Sequence, residues 1–166
     1  MSSHPAGPRI AEAIAAAEAM PAIQAATLRV TGVGWATVEL DRAAQEFAAR
    51  LETEPGAFEP AADDVALGGR CRLARTALPG DRTLVLLEPS TEGRLAATLA
   101  RFGEGPAVIW FSGNAPDLAA ATLGEAGVTL SATRDGPLGG ARLLLGGPVH
   151  GPHRFLLAPR TGTIRK

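Results

Sequence analysis

Between Leu28 and Val38 apolar and β-branched residues alternate as they do in a strand. From Leu40 the spacing changes. Leu40, Ala44, Phe47, Ala48 and Leu51 recur three and four apart and predict one buried face of a helix, with Asp41 as its N-cap. Glu54 to Asp64 reads as a loop carrying at most a short strand. Val65 to Ala77 and Arg82 to Glu88 predict two strands joined through the turn Leu78-Pro79-Gly80-Asp81, a hairpin signal. Thr91 to Phe102 returns to helical spacing, with Leu95, Leu99 and Phe102 on one side and Gly103 suited to the position after the last turn.

The pattern then starts again. Pro106 to Phe111 predicts a strand, and Asn114 and Pro116 open a helix that Gly127 closes. Val128 to Thr133, Ala141 to Gly146 and Arg154 to Ala158 predict three further strands. Ahead of the first unit, Arg9 to Met20 predicts a weakly apolar helix stopped by Pro21 and packed at the domain edge. Strand, helix and about three strands, twice over, is an internal repeat. Two such units side by side imply a curved sheet whose concave face is filled by side chains or by a ligand.

Composition narrows the classes. The 166 residues suffice for one domain with a core, and the net charge of −1 provides no electrostatic footprint for nucleic acid or an acidic membrane. The single cysteine excludes an internal disulfide and fits a reducing compartment. Neither a membrane-spanning apolar stretch nor a signal-peptide pattern is present, so a cytoplasmic protein is expected.

The stretches LVLLEPSTEGRLAATLARFGEGPAVIWF, PDLAAATLGEAGVTL and GARLLLGGPVHGPHRFLLAP, with TGVGWATVELDRAAQEFAARL before them, resemble the vicinal oxygen chelate superfamily. That superfamily includes glyoxalase I, ring-cleaving dioxygenases, bleomycin-resistance proteins and methylmalonyl-CoA epimerase. The resemblance covers roughly residues 28–159. It implies an α+β fold: tandem βαβββ modules forming a curved mixed sheet with helices on the outer face, plus the N-terminal helix. Residues 1–27 are then a tail and helix, and 28–166 a glyoxalase-like domain, with modules at about 28–89 and 106–159 joined by a helix over 91–102.

The resemblance also implies an ion in the concave sheet, held by one His, Glu or Gln from each of four strands, with a nearby carboxylate moving a proton. Carried over residue by residue, those positions fall on Gly32, on Val85, on Val108 (or Ala107 with a slip of one) and on Phe155 or Leu156. None of these can coordinate a metal. The resemblance thus carries the fold while the usual metal site is expected to be absent, and no cofactor is expected.

Other residues offer alternatives. His150 and His153 form His-Gly-Pro-His; a metal reading needs both to point inward with a partner such as Glu88, whereas a solvated hairpin corner needs nothing more. His4 lies in the tail and receives no role. Cys71, between Arg70 and Arg72, reads as a buried structural thiol, because the arginines share the strand face that it does not. Arg70 and Arg72 would clamp a carboxylate or phosphate if their side faced the hollow, and would form a solvated edge if it did not. Trp35 is expected to point toward the helix, and Trp110 toward the hollow if Val108 does; for both, stacking on a flat ligand competes with filling the core, and core filling leads. Gly32 and Gly34 leave room on the concave face, either for a ligand or for a bulky side chain from across the sheet.

Three functions compete. The first is a metal-independent binding protein holding a small hydrophobic or aromatic ligand in an apolar cleft lined by Gly32, Gly34, Arg72, Val85, Val108, Trp110 and Phe155. The second is an epimerase, lyase or isomerase with an unconventional site built from His150, His153, Glu88 or Arg72. The third is a non-catalytic partner-binding domain. The resemblance adds homodimer formation through sheet edges as one arrangement. The sequence favours the first and leaves open whether any reaction follows.

Overall fold

In the computed structural model, which describes residues 6–52, 55–145 and 152–158, two helices lead into the sheet. They are α1 (Ala6–Glu18) and the short α2 (Pro21–Ala25), which begins at the proline that ends its predecessor's run. The first module follows as β1 (Arg29–Ala36), α3 (Leu40–Arg50), β2 (Glu59–Asp64), β3 (Gly69–Leu78) and β4 (Arg82–Pro89). A linker helix, α4 (Arg94–Phe102), leads to β5 (Gly105–Ser112), α5 (Pro116–Glu125), β6 (Thr129–Leu130), β7 (Ala141–Leu145) and β8 (His153–Leu157). The expected α+β architecture of two βαβββ modules is the observed one.

Two local expectations are corrected. Glu39, not Asp41, caps α3: its carboxylate accepts from the Arg42 N–H at 3.0 Å. Asp41 lies in the first turn and ion-pairs with Arg72 at 3.1 Å. The short strand allowed in the segment before the hairpin is β2, and the strand after it starts later than expected, at Gly69 rather than Val65. Residues 65–68 form the turn between β2 and β3, where the Asp64 carboxylate accepts from the Leu67 N–H at 2.9 Å and Gly68 takes φ +78°. Pro60 is tolerated in β2 because that strand is the sheet's edge.

The strand order is β2-β3-β4-β1-β5-β8-β7-β6. β1 lies parallel to β4 and antiparallel to β5, and β5 lies parallel to β8. Across the central seam Gly32 faces Trp110, Val33 faces Ile109 and Gly34 faces Val108. A pseudo-twofold through the Val33–Ile109 pair therefore relates Gly32 to Val108 and Gly34 to Trp110. Gly34 pairs with Val85 and Trp110 with Phe155, so Val85 and Phe155 are equivalent too.

Each sheet face has its own core. On the convex side α1, α2, α3 and α5 pack against Val33, Leu84, Leu86, Ile109 and Leu156. The N-terminal helix is a full member of this core, with Ala6, Ile10, Ile14 and Ala17 buried on β1 and β5. Trp35 faces this side and meets Phe47 of α3 edge-on at 5.1 Å. The hollow side holds Val85, Leu87, Val108, Trp110, Leu143 and Phe155, and α4 lies over it through Leu95 and Leu99.

Candidate functional site

Four central strands aim Gly32, Val85, Val108 and Phe155 into the hollow, in the symmetric arrangement that the seam register dictates. Val85, Val108 and Phe155 are almost completely buried. Phe155 belongs to the hollow-side core and Leu156 to the convex one, which decides between the two. Ala107 and Val108 are both buried on the hollow side. Nothing in this quartet carries a lone pair suited to a divalent ion.

The occupant of the space is a side chain. A methyl group on Gly34 would come within 2.9 Å of Val108 Cβ, 2.7 Å of Leu87 Cδ1 and 3.1 Å of Trp110 Cη2. A methyl on Gly32 would meet Leu138 Cδ1 at 2.7 Å and the Trp110 ring at 3.4 Å. The two glycines sit where the β1–β5 register shifts, and the room they leave is filled by Leu138, Leu87, Val108 and the edge of the Trp110 indole. Trp110 is fully buried and stacks on Phe155, with ring centroids 6.1 Å apart and planes 13° from parallel.

Arg72 does not join the other predicted residues. It stands on the convex side with Arg70, which pairs with Glu88. Glu88 also accepts from the Leu40 N–H at 2.9 Å, so its carboxylate is engaged at the start of α3 and does not approach His153. His150 and His4 lie outside the described residues. His153 faces the hollow side, and its Nε2 lies 2.9 Å from Thr98 Oγ1 of α4. Burial, then the Arg94 and Arg154 charges, holds its imidazole below the usual range. Cys71 is buried, and burial followed by the Asp64 charge pushes its thiol up to about 12, which leaves no nucleophilic thiolate. Among the described residues no group of three His, Cys, Asp or Glu side chains converges to hold an ion.

Two chemically informative carboxylates were assigned no role from the sequence. Asp64 is 2% exposed, and burial raises its carboxyl to about 6 against the opposing hydrogen bonds of the Leu67 and Ala66 N–H groups. Glu104, between Gly103 and Gly105, ties the α4–β5 link to the start of α3. It accepts from the Val38 N–H and the Thr37 hydroxyl at 2.9 Å each, and from Arg42 at 2.7 Å. Burial alone would raise this carboxyl, but those bonds outweigh it and hold it below the ordinary value.

Beside the sealed hollow, at the start of β5, a cavity of about 220 Å³ lies between Arg9, Thr98, Phe102, Pro106, Ala107 and Pro152. A larger apolar groove of about 480 Å³ runs between α1 and the β3–β4 hairpin. Its polar rim, Glu18 and Arg82, is paired with itself at 3.1 Å and with the Val30 backbone.

No protein-family model matches the chain, and no curated protein matches it. Solved structures do. A hypothetical protein of Bacillus halodurans C-125 superposes with TM-score 0.63 at 16% identity, over 84% of this chain and 99% of that one. Methylmalonyl-CoA epimerase from Mycobacterium tuberculosis gives 0.62 at 22%, over 78% and 88%. A variant of the Streptomyces coelicolor methylmalonyl-CoA epimerase, in complex with 2-nitronate-propionyl-CoA, gives 0.61 at 26%, over 77% and 92%. The structural neighbours thus include methylmalonyl-CoA epimerases of the vicinal oxygen chelate superfamily. Among the described residues no helix is long and apolar enough to cross a membrane.

Proposed function

We propose that this chain is a metal-independent binding protein on the vicinal oxygen chelate fold, and that it carries no epimerase chemistry in its central hollow. The observation that supports this reading best is the Trp110 indole seated over Gly32 and Gly34, among Val85, Val108 and Phe155. A divalent ion there would lose its water and gain no ligand, at prohibitive cost. Moving a proton at carbon needs a base within reach of the reacting atom, and none of these side chains titrates. The ligand is a small organic molecule of hydrophobic or aromatic character, held next to the sealed hollow rather than inside it.

Protein purified without chelator and analysed by plasma mass spectrometry tests the first half of the proposal. No stoichiometric divalent ion is expected, and chelator leaves Tm unchanged. Incubation with methylmalonyl-CoA in deuterated water is expected to give no exchange at the α-carbon. A stoichiometric ion, or enzyme-dependent exchange, overturns the reading.

A further inference from the structure

The cavity at the start of β5 contains a cation with no counter-charge among the described residues. Arg9 forms no ion pair among the described residues; its guanidinium lies over the Trp35 ring at 5.2 Å and gives one long hydrogen bond, 3.3 Å, to the Glu104 carbonyl. The nearest carboxylate on that loop, Glu104, is already taken by Arg42, Thr37 and Val38. Position 105 is a glycine, and any side chain there would overlap the guanidinium. Arg9 is therefore fixed by a ring on one side and bare backbone on the other. A fixed fork of donors loses little entropy when it meets a carboxylate.

The rest of the wall suits the other end of such a ligand. Phe102, Pro106, Ala107 and Pro152 are apolar, and the Thr98 hydroxyl is the polar group opposite, already bonded to His153. The volume, about 220 Å³, falls below the ~300–1,000 Å³ of sites for drug-sized molecules, so the ligand is small. The geometry points to a site for a small aromatic or branched aliphatic monocarboxylate, its carboxylate on Arg9 and its apolar body on Phe102 and Pro106. This assignment rests on the metal-independent binding reading above and names its ligand class.

Benzoate and its neutral isostere benzamide test it on the whole chain, followed by ¹H–¹⁵N spectra at the Gly103 and Gly105 amides. Benzoate is expected to shift both amides saturably and to bind about tenfold or more tighter than benzamide, as a charge-assisted pair requires. In Arg9→Met the preference falls to within about twofold, with benzamide binding little changed. Should Arg9→Met fail to fold, Gly105→Ala replaces it: the methyl pushes the guanidinium off its seat, and benzoate affinity falls. Equal affinity for the two compounds, absence of shifts with either, or benzoate preference surviving in the variant overturns the assignment. None of those results bears on the ion content of the hollow. Conversely, a bound ion overturns the earlier reading without altering the benzoate comparison.

Discussion

Replacing Trp110 by alanine isolates the central physical claim, that an indole fills the hollow between the two modules. The ring is fully buried, stacks on Phe155 and covers two glycines. Aromatic-to-alanine changes in cores cost ~3–5 kcal/mol, and the upper part of that range applies where the walls cannot close in. Part of the wall facing the ring is Gly32 and Gly34, which have no side chains to lean inward, so only the flanking Leu87, Leu138 and Phe155 can relax into the void. The stacked pair adds ~0.5–1.5 kcal/mol that is lost with it. For a chain of this length the combined loss lowers Tm by roughly 7–26 °C. Urea denaturation followed by circular dichroism should show a lower midpoint with an unchanged slope. The void is apolar and stays dry, so indole added to the variant should restore part of the lost Tm while leaving the parent protein unaffected. A loss below about 1 kcal/mol, or an equal response of parent and variant to indole, refutes the reasoning.

Further outcomes follow from the same structure. Gly34→Ala should destabilise by about 1 kcal/mol in urea, because overpacking costs ~1–3 and the stiffer unfolded chain returns only ~0.4–1; Val108 Cβ, fixed to its own backbone, cannot move aside. Asp64 titrates near 6 in the folded chain, above its ordinary 3.8, so its protonation favours folding. That stability is complete below 3.8 and lost as pH rises through about 6. The shift is worth roughly 3 kcal/mol, and Asp64→Asn should remove the trend from a series of urea midpoints between pH 4 and 7.5. Glu104 has the opposite sign: its stabilisation is present above the unfolded value and is lost as pH falls through the lower folded one. Glu104→Gln should cost about 1 kcal/mol near neutrality and less in acid, since the side chain is 30% exposed and screened. The His153 ring should titrate below 6.5 by NMR, and Thr98→Val should cost ~1 kcal/mol by leaving its Nε2 unpaired.

How much of this was legible depended on the range of the interaction. The doubled βαβββ order was readable because alternation in Arg29–Ala36, the continuous apolar run of Gly105–Ser112 and helical spacing in Leu40–Arg50 are local patterns. Strand parity correctly separated Cys71 from its flanking arginines. It could not say which face was the hollow, because that depends on Asp41 and α3 meeting Arg72 from another element. Room above Gly32 and Gly34 was readable; its occupant was not, since Trp110 arrives from across the seam and Leu138 from the segment before β7. Arg9 carried no signal, because a weakly apolar helix reads as a domain-edge element and Trp35 and Glu104 lie far away along the chain. The Asp64 turn was missed because an acid before Val-Ala-Leu reads as the start of a strand rather than as the carboxylate that closes one.

The asymmetry across the seam has a consequence for the chain as two fragments. Cleaved before α4, the two pieces should complement one another, yet neither should self-associate in the same geometry. A pair of N-terminal pieces would oppose glycine to glycine and leave a hole. A pair of C-terminal pieces would drive two indoles into one space. The halves have thus become lock and key, and mixing them should yield the mixed complex alone.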